Sequence, residues 1–188
     1  DVTVSGSSSA NLGNLVSQTG LDSFNASDNS GGVTTIVEGD TDSNLIGDLQ
    51  EYVLGSGGDV VTVSASAGNA VDVDVTLGQG NDVLNLQDGI DTAGATLDGG
   101  AGTDTIQFAA ADAETASSSP SFEGTMQSFE VLFLRDVKNT DTTNTVNLDY
   151  LNDIDHVVTS GAESSANTGE AEVFTATFSS DAADGDTI

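Results

Sequence analysis

A glycine loop ending in aspartate occurs three times at a nearly fixed spacing, and this spacing limits the folds open to the chain. The three segments are LGSGGDVV at 54–61, LGQGNDVL at 77–84 and GGAGTDTIQ at 99–107. Their aspartates, Asp59, Asp82 and Asp104, are separated by 23 and 22 residues. A period of this size predicts a solenoid, in which each coil buries its apolar face by stacking on its neighbours.

Short runs of alternating apolar and polar residues lie between the loops. Alternation with a period of two predicts half-buried strands. One strand is expected after each aspartate, over 60–64, 83–87 and 105–109, and a second over 71–77 and about 94–98. Two strands and two turns fit in about 22 residues. The predicted fold is therefore all-β: a parallel β-helix or β-roll-like solenoid with coils of about 22 residues, flanked by additional strands.

The loop pattern weakens outside 54–109, which divides the chain into four parts. We expect an N-terminal β segment over 1–50, in which 39–46 resembles a degenerate coil, and the solenoid over 51–110. Continuing β structure is expected over 111–172 after a loop at 109–121. Residues 173–188 are expected to form a terminal strand and an acidic tail. This tail is either disordered, the start of another domain, or a strand that completes a neighbouring subunit.

The charge of the chain is extreme, with 31 Asp and Glu against 2 Lys and Arg, a formal net charge of -29. A compact state with this charge repels itself unless cations neutralise it. The 36% of hydrophobic residues, set in alternating runs, favour a folded chain over a disordered one. Nucleic acid and anionic membranes are unsuitable partners, because both require clustered basic residues. No cysteine is present, which leaves metal ions as a stabilising device.

The chemistry of the loops is that of a calcium site. Calcium takes six to eight oxygen ligands from carboxylates and backbone carbonyls. Glycine tolerates the positive φ that a loop needs to turn its carbonyls inward, and the terminal aspartate supplies a charged ligand. The predicted metal-binding residues are Gly55, Gly57, Asp59, Gly78, Gly80, Asp82, Gly100, Gly102 and Asp104. Glycine- and aspartate-rich turns also occur in solenoids that bind no metal.

These loops resemble the RTX (repeats-in-toxin) calcium β-roll family, whose nonapeptide is matched in full only at 99–107. The resemblance implies that the three aspartates are side-chain ligands and the loop glycines carbonyl ligands. The family runs its nonapeptides in tandem, whereas here single copies lie 22 to 23 residues apart. This spacing over about 54–134, with segments such as Phe129-Glu130-Val131-Leu132, is similar to Caulobacter-type S-layer and related secreted bacterial surface proteins.

A second turn position of each coil also carries polar residues. Asn69, Asp72, Asp88, Gly89 and Asp91 lie at a second turn, where they are either solvated turn formers or further ion ligands.

Catalytic groups are scarce. His156 is the single histidine, and no G-x-S-x-G motif exists, so no Ser-His hydrolase is expected. Carboxylate pairs for glycoside hydrolysis are not excluded by counting, because aspartate is everywhere. The cations Arg135 and Lys138 are expected to pair with Asp136 or to contact an acidic neighbour.

The leading hypothesis is an extracellular, calcium-stabilised structural protein, not an enzyme, that self-assembles into a surface layer, filament or matrix. Its partners would be copies of itself, joined through chain ends and sheet edges, and a cell-surface polysaccharide. The alternative is the calcium-dependent folding region of a type I-secreted exoenzyme or adhesin. A weaker alternative is a β-helix that acts on polysaccharide.

Overall fold

The structure is a computed structural model. It describes residues 1–16, 23–38, 51–64, 74–87, 96–118, 120, 122–135, 144–151, 153–160 and 174–177. Most of these residues belong to parallel strands, numbered here in chain order. Among them there is one α-helix, α1 (Ala110–Ala116), and one short 3-10 helix (Leu148–Tyr150).

Two long parallel sheets contain most of the described strands. The first has six strands: β1 (Val2–Thr3), β3 (Ser23–Asn25), β5 (Glu51–Val53), β7 (Asp74–Thr76), β10 (Leu97–Asp98) and β13 (Met126–Gln127). The second has seven: β2 (Ala10–Val16), β4 (Val33–Glu38), β6 (Val60–Ser64), β9 (Val83–Leu86), β12 (Thr105–Ala109), β14 (Val131–Arg135) and β16 (His156–Thr159). Strands of the two sheets alternate along the chain, so the fold is a β-solenoid. The predicted fold class is confirmed.

The strands pair in the order in which they occur, each with its counterpart one coil later. In the second sheet Val60 lies opposite Val83, and Val83 lies opposite Thr105. The strands predicted after the three aspartates are confirmed as β6, β9 and β12. The second strand of each coil is confirmed as β7 and β10, although the described parts, at three and two residues, are shorter than predicted.

The flanking strands are further coils of the same solenoid. β1 to β4 pair ahead of the glycine loops, and β13, β14 and β16 pair after them, in the same two sheets. Strands pair through their backbone N–H and C=O groups, and alternating side chains bury one face, so a coil can stack without the glycine loop. The degenerate coil suggested at 39–46 lies outside the described residues.

The interior is filled by columns of side chains from successive coils. Along β9, for example, Leu84 and Leu86 are buried while Val83 and Asn85 are only half-buried. Phe24 and Tyr52 stack across two coils with ring centroids 4.3 Å apart and planes inclined by 8°. Each coil thus covers the apolar face of the next.

The loop expected over Ala109 to Ser121 contains α1, which corrects the prediction. The buried residues of the helix, Ala110, Ala113 and Ala116, recur every three residues, so they line one face. Alanine is the strongest helix former, and its small side chain lets the helix lie close to the strands. The Ser-rich segment that follows the helix predicts a loop, and the three-residue spacing of the alanines before it was overlooked.

Two further pairs complete the described structure. β8 (Gln79–Gly80) pairs with β11 (Ala101–Gly102) within consecutive glycine loops. β15 (Asn144–Asn147) pairs in parallel with β17 (Phe174–Thr177), which lies in the segment 173–188 where a strand was predicted. In the part of the chain that the structure describes, no helix is long and apolar enough to cross a membrane.

A candidate metal centre: the carboxylate ladder

The three loop aspartates occupy one column at the corner where each glycine loop enters the second sheet. Asp59, Asp82 and Asp104 are 1%, 1% and 0% exposed. Each precedes its strand by one residue, so its side chain lies on the same face as the buried residues of that strand, such as Leu84 after Asp82. The carboxylates therefore lie inside the solenoid instead of on its surface.

Hydrogen bonds join these carboxylates to the main chain of the preceding coil. The Val33 N–H donates to Asp59 Oδ1 (2.5 Å), and the Asp59 N–H donates to Asp82 Oδ1 (2.7 Å). The Asp82 N–H donates to Asp104 Oδ1 (2.8 Å), and the Asp104 N–H donates to Glu130 Oε2 (2.7 Å). We call this set, Asp59, Asp82, Asp104 and Glu130, the carboxylate ladder.

Each aspartate of the ladder keeps one oxygen without a partner. The Oδ2 atoms of Asp59, Asp82 and Asp104 are buried and accept no hydrogen bond from the residues described. Desolvation by burial is the largest cause that raises the pKa of these carboxyls, and it outweighs the backbone hydrogen bonds, which lower it. The pKa rises to about 6 at Asp82 and at Asp104. A buried charge of this kind requires a proton or a cation.

The glycines of the loops stack on one another with their main chains in close approach. A β-carbon at Gly78 would overlap the carbonyl oxygen of Gly55, and one at Gly100 would overlap that of Gly78. The second glycine of each loop repeats the arrangement, because a β-carbon at Gly102 would overlap the carbonyl oxygen of Gly80. The loops therefore require glycine for stacking, whether or not a metal is bound.

Positive φ is found at Gly78, Gly80, Gly100 and Gly102, at 99°, 141°, 93° and 152°. Gly55 and Gly57 do not share it, so the conformational reason predicted for all six glycines is wrong at these two. There the requirement is space: a β-carbon at Gly55 would overlap the Asn29 carbonyl oxygen, and one at Gly57 would overlap the main chain at Gly32.

The loop carbonyls that were expected to turn inward are directed along the solenoid axis at two positions. Gly55 O accepts the Gln79 N–H and Gly78 O accepts the Ala101 N–H, both at 2.8 Å. Each is thus part of the link between coils. A carbonyl oxygen has a second lone pair, so this hydrogen bond leaves room for a further contact.

The ladder offers the donor chemistry that calcium prefers. Its bare oxygens are carboxylate oxygens, the hard ligands that calcium takes in proteins. Within the described ranges, no group of three or more His, Cys, Asp or Glu side chains lies close enough to hold a metal ion. An ion here would therefore take one or two carboxylates, with main-chain carbonyls and water completing its shell.

Glu130 is the ladder residue that sequence reasoning missed. Its coil has no glycine loop, and it lies 26 residues after Asp104 instead of 22 or 23. A signal was present nevertheless: Glu130 directly precedes the alternating run that forms β14, as each loop aspartate precedes its own strand. An acidic residue directly before a strand of the second sheet thus identifies all four ladder residues, whereas the glycine pattern identifies three.

The remaining candidate residues do not join the ladder. His156 is exposed at the start of β16. Arg135 is half-buried, and its Nη2 donates to Leu86 O at 2.5 Å, so it bonds to main chain two coils earlier. Its expected partner Asp136 lies outside the described residues, as do Lys138, Asn69, Asp72, Asp88, Gly89 and Asp91.

No protein-family model, curated protein or solved structure matches this chain. The fold defines the class of protein, a parallel β-solenoid with an internal column of carboxylates.

Proposed function

We propose that this chain is a structural solenoid module, stabilised by calcium at the carboxylate ladder, that assembles with copies of itself outside the cell. The observation that carries the proposal is the row of buried aspartate oxygens without a partner at Asp59, Asp82 and Asp104. Three such oxygens on successive coils make the folded state costly unless cations or protons are bound. Calcium at the millimolar levels outside cells suits modules of modest affinity.

The outer edges of the end coils support assembly. β2 and β16 are the terminal strands of the second sheet among the strands described, and each pairs on one side only. Core residues of the first coil, Val2, Val4, Leu12 and Leu15, are only partly covered. Open strand edges beside apolar side chains are templates for pairing with another chain. A head-to-tail contact of this kind produces filaments when it does not close into a ring.

We propose no enzymatic activity for the chain. The ladder aspartates are at most 1% exposed, so a glycan in solution has no access to them. A chain in which each coil serves to stack the next is suited to a mechanical role.

The test is to measure fold and assembly state together, in calcium, in magnesium and in EGTA. We expect calcium to raise the unfolding free energy by about 2.7 kcal/mol per site at a hundred times the dissociation constant. We expect light scattering and electron microscopy to show polymers in calcium alone. Calcium-dependent folding of a strict monomer would instead favour the folding region of a larger secreted protein. The same fold, stability and mass in all three solutions would refute the proposal.

A further inference from the structure

Each hydrogen bond of the ladder is one rung, and the last rung joins Asp104 to Glu130. This rung differs from the others in its local charge and in its exposure to solvent. The pairing of Thr105 with Val131 places Glu130 directly beside Asp104. Glu130 Oε2 accepts the Asp104 N–H at 2.7 Å. Glu130 is half-buried, whereas the three aspartates are buried. This rung is therefore where the buried column meets solvent.

Negative charge is most concentrated at this rung. Asp104 is fully buried, and its Oδ2 has no hydrogen-bond partner among the described residues. Burial is the largest cause that raises the pKa of this carboxyl, and the hydrogen bond from the Asp82 N–H lowers it. The acidic groups of Asp82, Glu130 and Asp98 raise it further. At the other end of the ladder, Asp59 is stabilised by the N–H groups of Val33 and Gly55. A cation therefore gains most electrostatic free energy beside Asp104.

A main-chain oxygen lies at the same place. A β-carbon at Gly99 would overlap Ser128 O and would lie 2.9 Å from the Asp104 β-carbon. A side chain at Gly99 would thus meet both the Ser128 carbonyl and the Asp104 side chain, so both border this glycine. Ser128 holds a φ of 59°, an uncommon conformation for a residue with a β-carbon. Two carboxylates and one carbonyl are the oxygen types found in calcium sites.

We propose that Glu130 and Asp104 together hold a calcium ion at the last rung of the ladder, with Glu130 as a ligand that lies outside the glycine-loop motif. This inference rests on the proposed function and locates its cation. Because Glu130 is partly accessible, an ion enters at this rung from solvent without disrupting the core.

The experiment is isothermal titration of the full chain with calcium chloride, comparing wild type with Glu130→Gln and Glu130→Asp. Glutamine keeps an oxygen for the Asp104 N–H and removes the charge. We expect Glu130→Gln to weaken calcium binding by about tenfold or more, because a charged ligand is lost. Aspartate restores the charge on a shorter side chain, so Glu130→Asp should bind calcium more tightly than Glu130→Gln. The matched control is Glu51→Gln, which removes an exposed charge on β5.

A separate readout distinguishes a ligand from a merely structural residue. Thermal unfolding in EGTA should show Glu130→Gln to be at least as stable as wild type, since a repulsive charge has been removed. Unchanged calcium affinity in a folded Glu130→Gln variant would overturn this inference and leave the proposed function standing. If wild type itself binds no calcium, both fail. Equal loss of affinity in Glu130→Gln and Glu51→Gln would show a general charge effect and would also overturn the inference.

Discussion

Replacing Asp82 by asparagine removes one charge from the middle of the carboxylate ladder while keeping its shape. The amide oxygen can still accept the Asp59 N–H, which the carboxylate accepts at 2.7 Å. The amide nitrogen takes the position of the bare Oδ2, so a buried charge becomes a neutral donor. In a solution without calcium this substitution should stabilise the protein, although it removes a residue from the predicted metal set.

The magnitude follows from the protonation equilibrium. Burial raises the pKa of Asp82 from 3.8 to about 6. The difference between these values corresponds to about 3 kcal/mol of unfolding free energy lost above pH 6. This value already includes the hydrogen bond from the Asp59 N–H, which lowers the pKa. The buried amide nitrogen of asparagine costs about 1 kcal/mol as a donor without an acceptor, so the expected net gain is about 2 kcal/mol. For a chain of this length, that is a rise in melting temperature of about 4–8 °C.

The assay is thermal unfolding followed by circular dichroism, at pH 7.5 in EGTA with enough sodium chloride to screen the net charge. Asp155→Asn is the matched control, because Asp155 lies in the same column one coil after Glu130 but is exposed. It should change the melting temperature little. In calcium the order should reverse, with wild type gaining more than Asp82→Asn. A lower melting temperature for Asp82→Asn in EGTA would refute the reasoning, since it would mean that the buried charge costs nothing.

Three further predictions concern pH, the glycine stack and the core. The pKa values of Asp82 and Asp104 are raised, so between about pH 4 and 6 the folded state binds more protons than the unfolded state. In EGTA the free energy of unfolding should therefore fall as the pH rises through this range and level off above it. Urea titrations over this pH range should show a flatter profile for the double variant Asp82→Asn/Asp104→Asn. Gly102→Ala should destabilise the chain by more than about 2 kcal/mol in chemical denaturation, through its positive φ and its overlap with Gly80. Gly124→Ala, whose β-carbon meets nothing within 4 Å, should not. Tyr52→Phe should be neutral or stabilising by about 1 kcal/mol in thermal unfolding, because Tyr52 Oη is buried and makes no hydrogen bond of ordinary geometry among the described residues, although the Thr35 side chain lies near enough to interact with it. Marked destabilisation would show that the contact with Thr35 stabilises the fold, or that a water or ion is bound there.

Much of the fold could be predicted from local chemistry. The alternation around Leu84 and Ile106 specified strands, and the 22 to 23 residue spacing of the aspartates specified their stacking. Both signals are local or periodic, so a single sequence contains them. The column formed by Asp59, Asp82 and Asp104 followed directly from that spacing.

The remaining features depend on contacts that the spacing does not reveal. Whether a loop glycine is needed for its φ or for space depends on which main-chain atoms lie one coil away, as at Gly55. Helix α1 forms because three alanines meet the strands beside it. That the aspartates are buried, each with one bonded and one bare oxygen, required knowing which N–H group each side chain reaches.

Every rung of the ladder joins a later acceptor to an earlier donor. Asp59 bonds back to Val33, and Glu130 bonds back to Asp104, across 26 residues in each case. When the N-terminal coils fold first, the N–H group of each rung, at the start of a strand of the second sheet, therefore has no carboxylate acceptor until the following coil has folded. The stack thus has a chemical direction. Removing a later coil leaves a main-chain N–H of the coil before it without its acceptor, whereas removing an earlier coil leaves a carboxylate of the next coil without its donor. The two ends of such a stack therefore differ chemically, because the end toward later coils presents main-chain donors and the end toward earlier coils presents carboxylate acceptors.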